Sequence, residues 1–397
     1  MPDVDTHVDY IDVKKFTKEF LEGLREHADP DADDVIGDFI DVELGASGLL
    51  KEKLIKHHPG SDEASETLSA FVHDYPELPP WTNEAMLRRG QDIFAEFVPQ
   101  LGLALWMASI PAGYAGSRDV VVLERTNELV SHPQRRFLET GQFVIDVMQH
   151  GALEPGEQGA ADIRHVRLMH AAVRHMLVHE ADQLKMQDGS PCPPWDCATG
   201  KPLNQEALLA TQFTFSVVGI QSLEKFGIHL SDHDKDCYTH AWAVVGHLMG
   251  VRADLQPLDY ADSATVWELI KEKEYAASRA GAHLTEHALI VMKKLIPGRL
   301  IDGIPAAGIH FLLGRKTAKM LGVTNNWTYA IFPPMHLLGE IMNRFERTSP
   351  LGRKFTEWAG RKFFQAFIDL EWEGRTRSRN FEVPDQLRRR LGLDHDD

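Results

Sequence analysis

The sequence predicts an all-α protein: one large helical domain carrying additional peripheral helices. Apolar residues recur at three- and four-residue spacing along most of the 397 residues, strand-like alternation is scarce, and Asn, Ser, Gly and Pro fall where helices would start and stop. The length exceeds the usual size of a single core, and 43% hydrophobic with 25% charged residues is ordinary globular composition. A formal net charge of −17 argues against the clustered basic surface that phosphates require, so no nucleic-acid partner is expected.

Residues 1–80 read as an acidic, peripheral N-terminal helical arm, with amphipathic stretches at Val13–His27 and Glu63–His73 closed by Pro76, Pro79 and Pro80. Residues 81–330 read as the central domain. Residues 331–397 read as a C-terminal helical extension, whose basic groups Arg375, Arg377, Arg379 and Arg388 to Arg390 suit a solvated helix end or tail. Within the central domain, helices are expected at Glu84–Glu96, Gln100–Ser109, Val120–Ser131 and Gln134–Gln149, before a break at Gly151–Gly159. Phe97–Ser117 is uncharged and long enough to cross a bilayer, but Pro99, Gln100 and Pro111 make it a buried helix followed by a turn. No transmembrane segment is therefore expected. Cys192, Cys197 and Cys237 form neither a disulfide framework nor a zinc knuckle, and the acidic start Met1–Asp5 is unlike a secretory leader. The expected location is cytoplasmic.

The next helix holds Ile163 to Leu177 and is the most informative segment. Val166, Met169, Val173 and Leu177 form an apolar stripe into which His170 falls, with Arg167 and Arg174 three residues before and four after it. Neutral imidazole ligates transition metals and guanidinium forks carboxylates, so this grouping suits a metal beside an anionic cofactor. It also suits a core histidine bonded to a backbone carbonyl among helix-bridging arginines. A Pro-rich loop with Trp195 spans Asp188–Lys201, and Asn204 caps the helix that opens the apolar run Leu208–Phe226. Ser231 caps another through Gly250, with His240, Val244, His247 and Val251 on one face as a second candidate site. Asp262–Leu295 reads as one long helical segment, and Pro297–Trp327 as a broken apolar region ending in a further helix.

Several chemistries are missing from the sequence. It holds no His-Glu-x-x-His, no Glu-x-x-His of carboxylate-bridged di-iron bundles, and no dinucleotide, Walker or nucleophile-elbow motif. Histidine, arginine and glutamate on helices remain, the parts from which helical haem proteins are made.

These residues resemble the oxygenase family that includes bacterial latex clearing protein (rubber oxygenase) and the fungal mycophenolic acid pathway oxygenase. The resemblance lies in Arg135 to Thr140, Val166 to His170, Pro202 to Gln205 with Thr211 and Phe215-Ser216, Tyr238, Trp242, and Gly246 to Val251, across residues 85 to 325. It implies a globin-like helical core around a b-type haem, which makes residues 81–330 an oxygenase-like catalytic domain. The implied activity is oxidative cleavage of a C=C bond in an isoprenoid or other apolar unsaturated small molecule with O2. Arg167 resembles the arginine beside the distal haem face, and His170 takes the place of a lysine that can ligate the iron. Glu139 resembles the family's candidate base, or equally pairs with Arg135 or Arg136. The implied cofactor contacts are His170, Arg174, Thr140 and Phe213.

Phe213 is a departure, because by spacing it stands where the family has its proximal histidine, and phenylalanine binds no iron. Either His170 is the protein's axial ligand, or His247 or His165 serves, or haem has been lost. The flanking arginines favour His170. The alternative is a haem-free helical protein that binds a hydrophobic ligand or partner without oxidation.

Overall fold

The structure, a computed structural model, describes residues 8–44, 71, 77–126, 133–179, 193–295, 302–334 and 336–337. The expected helix at Glu63–His73 apart from Phe71, Cys192, and the C-terminal basic groups lie outside the described residues. What is described is all-α; the only pairing of β type among these residues is an isolated bridge between Gly116 and Tyr275.

In chain order the helices are α1 (Lys18–Leu24), α2 (Pro30–Leu44), α3 (Glu84–Glu96), α4 (Val98–Tyr114), α5 (Val120–Thr126), α6 (Pro133–Val147) and α7 (Gln158–His179). They continue with α8 (Gln205–Phe215), α9 (Val217–Lys225), α10 (Asp232–Leu248), α11 (Tyr260–Glu274), α12 (Arg279–Leu295) and α13 (Ile304–Met320). Side-chain caps start several of them, beginning with Thr17, whose Oγ1 accepts from Phe20 N–H at 3.1 Å ahead of α1. Asn83 Oδ1 accepts from the N–H groups of Ala85 and Met86 at 3.0 and 3.1 Å, and Asn204 from Ala207 at 3.0 Å. Ser231 and Asp259 accept from Asp234 and Asp262 at 3.1 and 2.8 Å. Each such cap is worth about 1 kcal/mol.

Two expected helices are broken in two. The run Leu208–Phe226 bends at Ser216, which separates α8 from α9. Asp262–Leu295 is interrupted because Tyr275 turns extended to bridge Gly116, and the chain restarts where Ser278 Oγ accepts from Gly281 N–H at 3.0 Å. The uncharged stretch behaves as expected for a buried element: α4 carries a π-helical turn at Leu105–Ser109, bends 84° from α3, and buries Val98, Leu101, Leu105, Met107 and Ala112. Among the described residues no single helix is long and apolar enough to cross a membrane.

The main core joins α3, α4, α8 to α10 and the inner faces of α11 to α13. Helices α3 and α10 pack along each other, and Gly90 makes the close approach possible. A Cβ there would stand 2.5 Å from the Cys237 carbonyl oxygen.

The first part of the N-terminal arm is not peripheral, contrary to the sequence-based expectation. Leu21 and Leu24 enter the main core, and the Arg25 guanidinium, 1% exposed, lies among the carboxylates of Asp119, Glu206 and Glu274. Lys273 and Arg118 extend this network to Glu22. The arm thus contributes a cation to a buried charge network of the central domain. Next, α2 lays Ala32, Val35 and Ile36 on Leu168, Ala171, Met176 and Leu177 of α7 in a second apolar cluster.

Candidate functional site

Helix α7 has no single apolar stripe. Val173 and Leu177 are buried as expected, but Val166 and Met169 are only partly so. Burial is shared among a face under α2, Ile163 in the main core, and polar positions such as Arg164 and Arg174. The physical cause is that α7 lies between α2 on one side and α6 on the other.

His170 sits in the middle of this helix. Its Nδ1 is buried and has no hydrogen-bond partner among the described residues. Burial pushes its pKa down to about 3, the positive charges of Arg174 and Arg136 push the same way, and Asp29 opposes them. The ring is therefore neutral at physiological pH, with a lone pair available to a metal. The Arg136 contribution also ties α6 to this centre.

The flanking arginines differ in what they have left to give. Arg167 is gripped by Asp29 through two bonds, Nε to Oδ2 at 2.6 Å and Nη2 to Oδ1 at 2.7 Å, with Asp31 3.3 Å from Nη2. Arg174 donates from Nε to Asp33 at 2.7 Å, while its Nη1 and Nη2 are buried without partners among the described residues. A guanidinium only 4% exposed with two unspent nitrogens calls for an acceptor, ideally a carboxylate. Phe71 lies under both Arg164 and Arg167, with ring centroids 5.0 and 5.5 Å from their guanidinium carbons.

Glu139, on α6, takes the pairing role that the sequence left open. Its two oxygens accept from Arg135 Nε at 2.9 Å and Arg136 Nη1 at 2.8 Å. Thr140 donates its hydroxyl proton to the Arg136 carbonyl at 2.8 Å, so only its lone pairs remain for a ligand. Phe213 is 1% exposed and belongs to the main core.

The alternative histidines are held differently. His165 Nδ1 meets the Ala161 carbonyl at 2.9 Å, which places the proton on Nδ1 and leaves Nε2 as acceptor. His247 keeps a buried, unpartnered Nδ1; burial first and Arg167 second lower its pKa, and Trp81 stands edge-on at 5.9 Å. His240, on the same face of α10, accepts the Asn83 N–H at Nε2 (3.0 Å) and is driven by burial to about 4. Trp81 contacts both rings. Asp29, Asp33 and Trp81 were not among the expected site residues. The traceable signal was Asp29-Pro30-Asp31-Ala32-Asp33, a helix start with acids one turn apart.

Fold and site define an all-helical protein whose chemistry is carried by one long helix and the elements laid against it. The chain belongs to the family described as ER-bound oxygenase mpaB/B'/Rubber oxygenase, catalytic domain, which it matches over residues 87–339, and it is an oxygenase of the latex clearing protein kind. It is 23% identical to the rubber oxygenase of Streptomyces sp. (strain K30) over 306 residues, 74% of this chain and 70% of that one. Its fold is similar to that of latex clearing protein LCP in the closed state, with a TM-score of 0.66 and 21% identity, covering 91% of this chain and 95% of that one.

Proposed function

We propose that this oxygenase binds a b-type haem through His170 and uses O2 to cleave a C=C bond in an isoprenoid or other apolar unsaturated small molecule. The carrying observation is the half-buried, neutral His170 imidazole with a buried, unpartnered Nδ1, beside an Arg174 with two unspent nitrogens. An imidazole and a guanidinium in that condition fit the two polar demands of haem, a ligand for iron and donors for its carboxylates. His165, its Nδ1 engaged by the backbone, and His247, beside Trp81, are the alternative ligands. Phe213 offers none.

When bound, haem would supply the activation of O2. The chain's own groups do the rest. Arg174 neutralises and orients carboxylates through Nη1 and Nη2. Glu139 is anchored at one lone pair per oxygen by Arg135 and Arg136, so its remaining lone pairs can take a proton from an allylic carbon. Arg167, neutralised by Asp29, keeps a fixed charge close to His247.

Reconstitution with hemin tests the proposal. The wild-type protein should acquire a Soret band, and His170→Ala should shift or abolish it. A colourless wild-type protein without bound iron would refute the proposal and favour the haem-free reading that Phe213 suggests.

A further inference from the structure

We infer that the N-terminal arm completes the site: Asp29 and Asp33 are positioning residues that set the orientation of Arg167 and Arg174 beside His170. Both lie outside the family-matched residues 87–339. The Asp29 carbonyl accepts the Asp33 N–H at 2.9 Å at the start of α2, which puts the two carboxylates one turn apart on a single helix end. Asp29, 3% exposed, spends both oxygens on Arg167 in a bidentate fork, the geometry that fixes a guanidinium plane. Asp33 takes only Nε of Arg174, which tethers the guanidinium while Nη1 and Nη2 stay available.

The core holds this segment from the other side. Gln205 Nε2 donates to the Ala28 carbonyl at 2.6 Å and to the Gly250 carbonyl at 2.8 Å, and Gln205 N–H donates to the His27 carbonyl at 2.8 Å. Gly250, at φ +96°, comes so close that a Cβ would stand 2.5 Å from Asp29 Oδ2 and 3.1 Å from Arg167 Nε. A carboxylate pinned by backbone anchors and a tight glycine is a rigid reference against which long arginine side chains are aimed.

The consequence for haem rests on the proposed function; the orientation of the arginines does not, so two readouts are needed. In the hemin-loaded protein, Asp33→Ala should speed hemin transfer to an apomyoglobin trap by about tenfold, the ratio expected when one charge-assisted hydrogen bond's worth of orientation is lost. Asp33→Glu should restore most of it. Val35→Ala, which loosens the apolar seat of α2 without touching a charge, should leave the rate within about twofold at comparable loss of thermal stability. Equal release from Asp33→Ala and Val35→Ala would overturn the inference. In the hemin-free protein, phenylglyoxal labelling read by peptide mass should rise several-fold at Arg167 in the isosteric Asp29→Asn and at Arg174 in Asp33→Ala. Unchanged labelling at both would overturn the inference even if the wild type took up no hemin, an outcome that by itself refutes only the haem reading.

Discussion

Asp162→Asn should make the protein more stable at pH 8 and leave it little changed at pH 4. Asp162, 4% exposed on α7, is hydrogen-bonded to Asp146 of α6 and accepts from Gln158 Nε2 at 2.7 Å; Asp146 in turn accepts from Gln142 Nε2 at 2.7 Å. Burial raises Asp162 from 3.8 to about 7; the Gln158 bond opposes this and Asp146 reinforces it. Because the folded-state pKa lies above the unfolded one, the pair's stabilisation is fully present below about 4 and is lost as pH rises towards 7. The full displacement corresponds to ~4 kcal/mol as a ceiling. Sharing of one proton between the two carboxyls lowers the expected gain of the amide at pH 8 to about 1–2 kcal/mol. Urea unfolding of wild type and variant at pH 4 and pH 8, with equal m values, measures the difference directly. A variant destabilised at pH 8 would show that the ionised Asp162 is favourable in the fold, and the shared-proton argument would fall.

Arg25→Ala should cost about 3 kcal/mol, because it takes a buried cation from among Asp119, Glu206 and Glu274 and leaves Glu206 and Glu274 to Lys273 and Arg118 alone, and a thermal melt should show a large fall in Tm. Gly250→Ala should cost about 1–3 kcal/mol in urea unfolding, through its positive φ and its collision with Asp29. Arg174→Met should weaken hemin uptake about tenfold or more in a Soret titration, since both unspent donors go with it.

Helix starts were legible in the sequence at two marked caps. Asn204 and Ser231 open helices with the expected side-chain bonds, and Glu84–Glu96 has the expected bounds. Breaks without Gly or Pro were not legible. Tyr275 leaves the helical run to bridge Gly116, 159 positions away, and Ser216 turns its hydroxyl back onto the Gln212 carbonyl at 3.0 Å, neither of which helix propensity encodes. At the site, the spacing of Arg167, His170 and Arg174 was readable, but not how each would be used. Asp29 and Asp33 stand 138 and 141 positions from their arginines, and nothing in an acidic arm distinguishes a carboxylate that will be buried from one that stays in water. Glu139 was ambiguous for the opposite reason. Its partners, three and four residues away, were visible, but the sequence could not say whether they would engage it.

The buried Arg25 cluster separates the boundary of sequence similarity from the boundary of cooperative folding. A truncation starting near residue 87, where family similarity begins, would remove Leu21, Leu24 and the Arg25 guanidinium that Asp119, Glu206 and Glu274 share. Such a fragment would uncover apolar surface and lose one of the buried cations that balance the carboxylates, so recombinant work on the catalytic region should retain the residues around α1 and α2 as an integral piece of the fold.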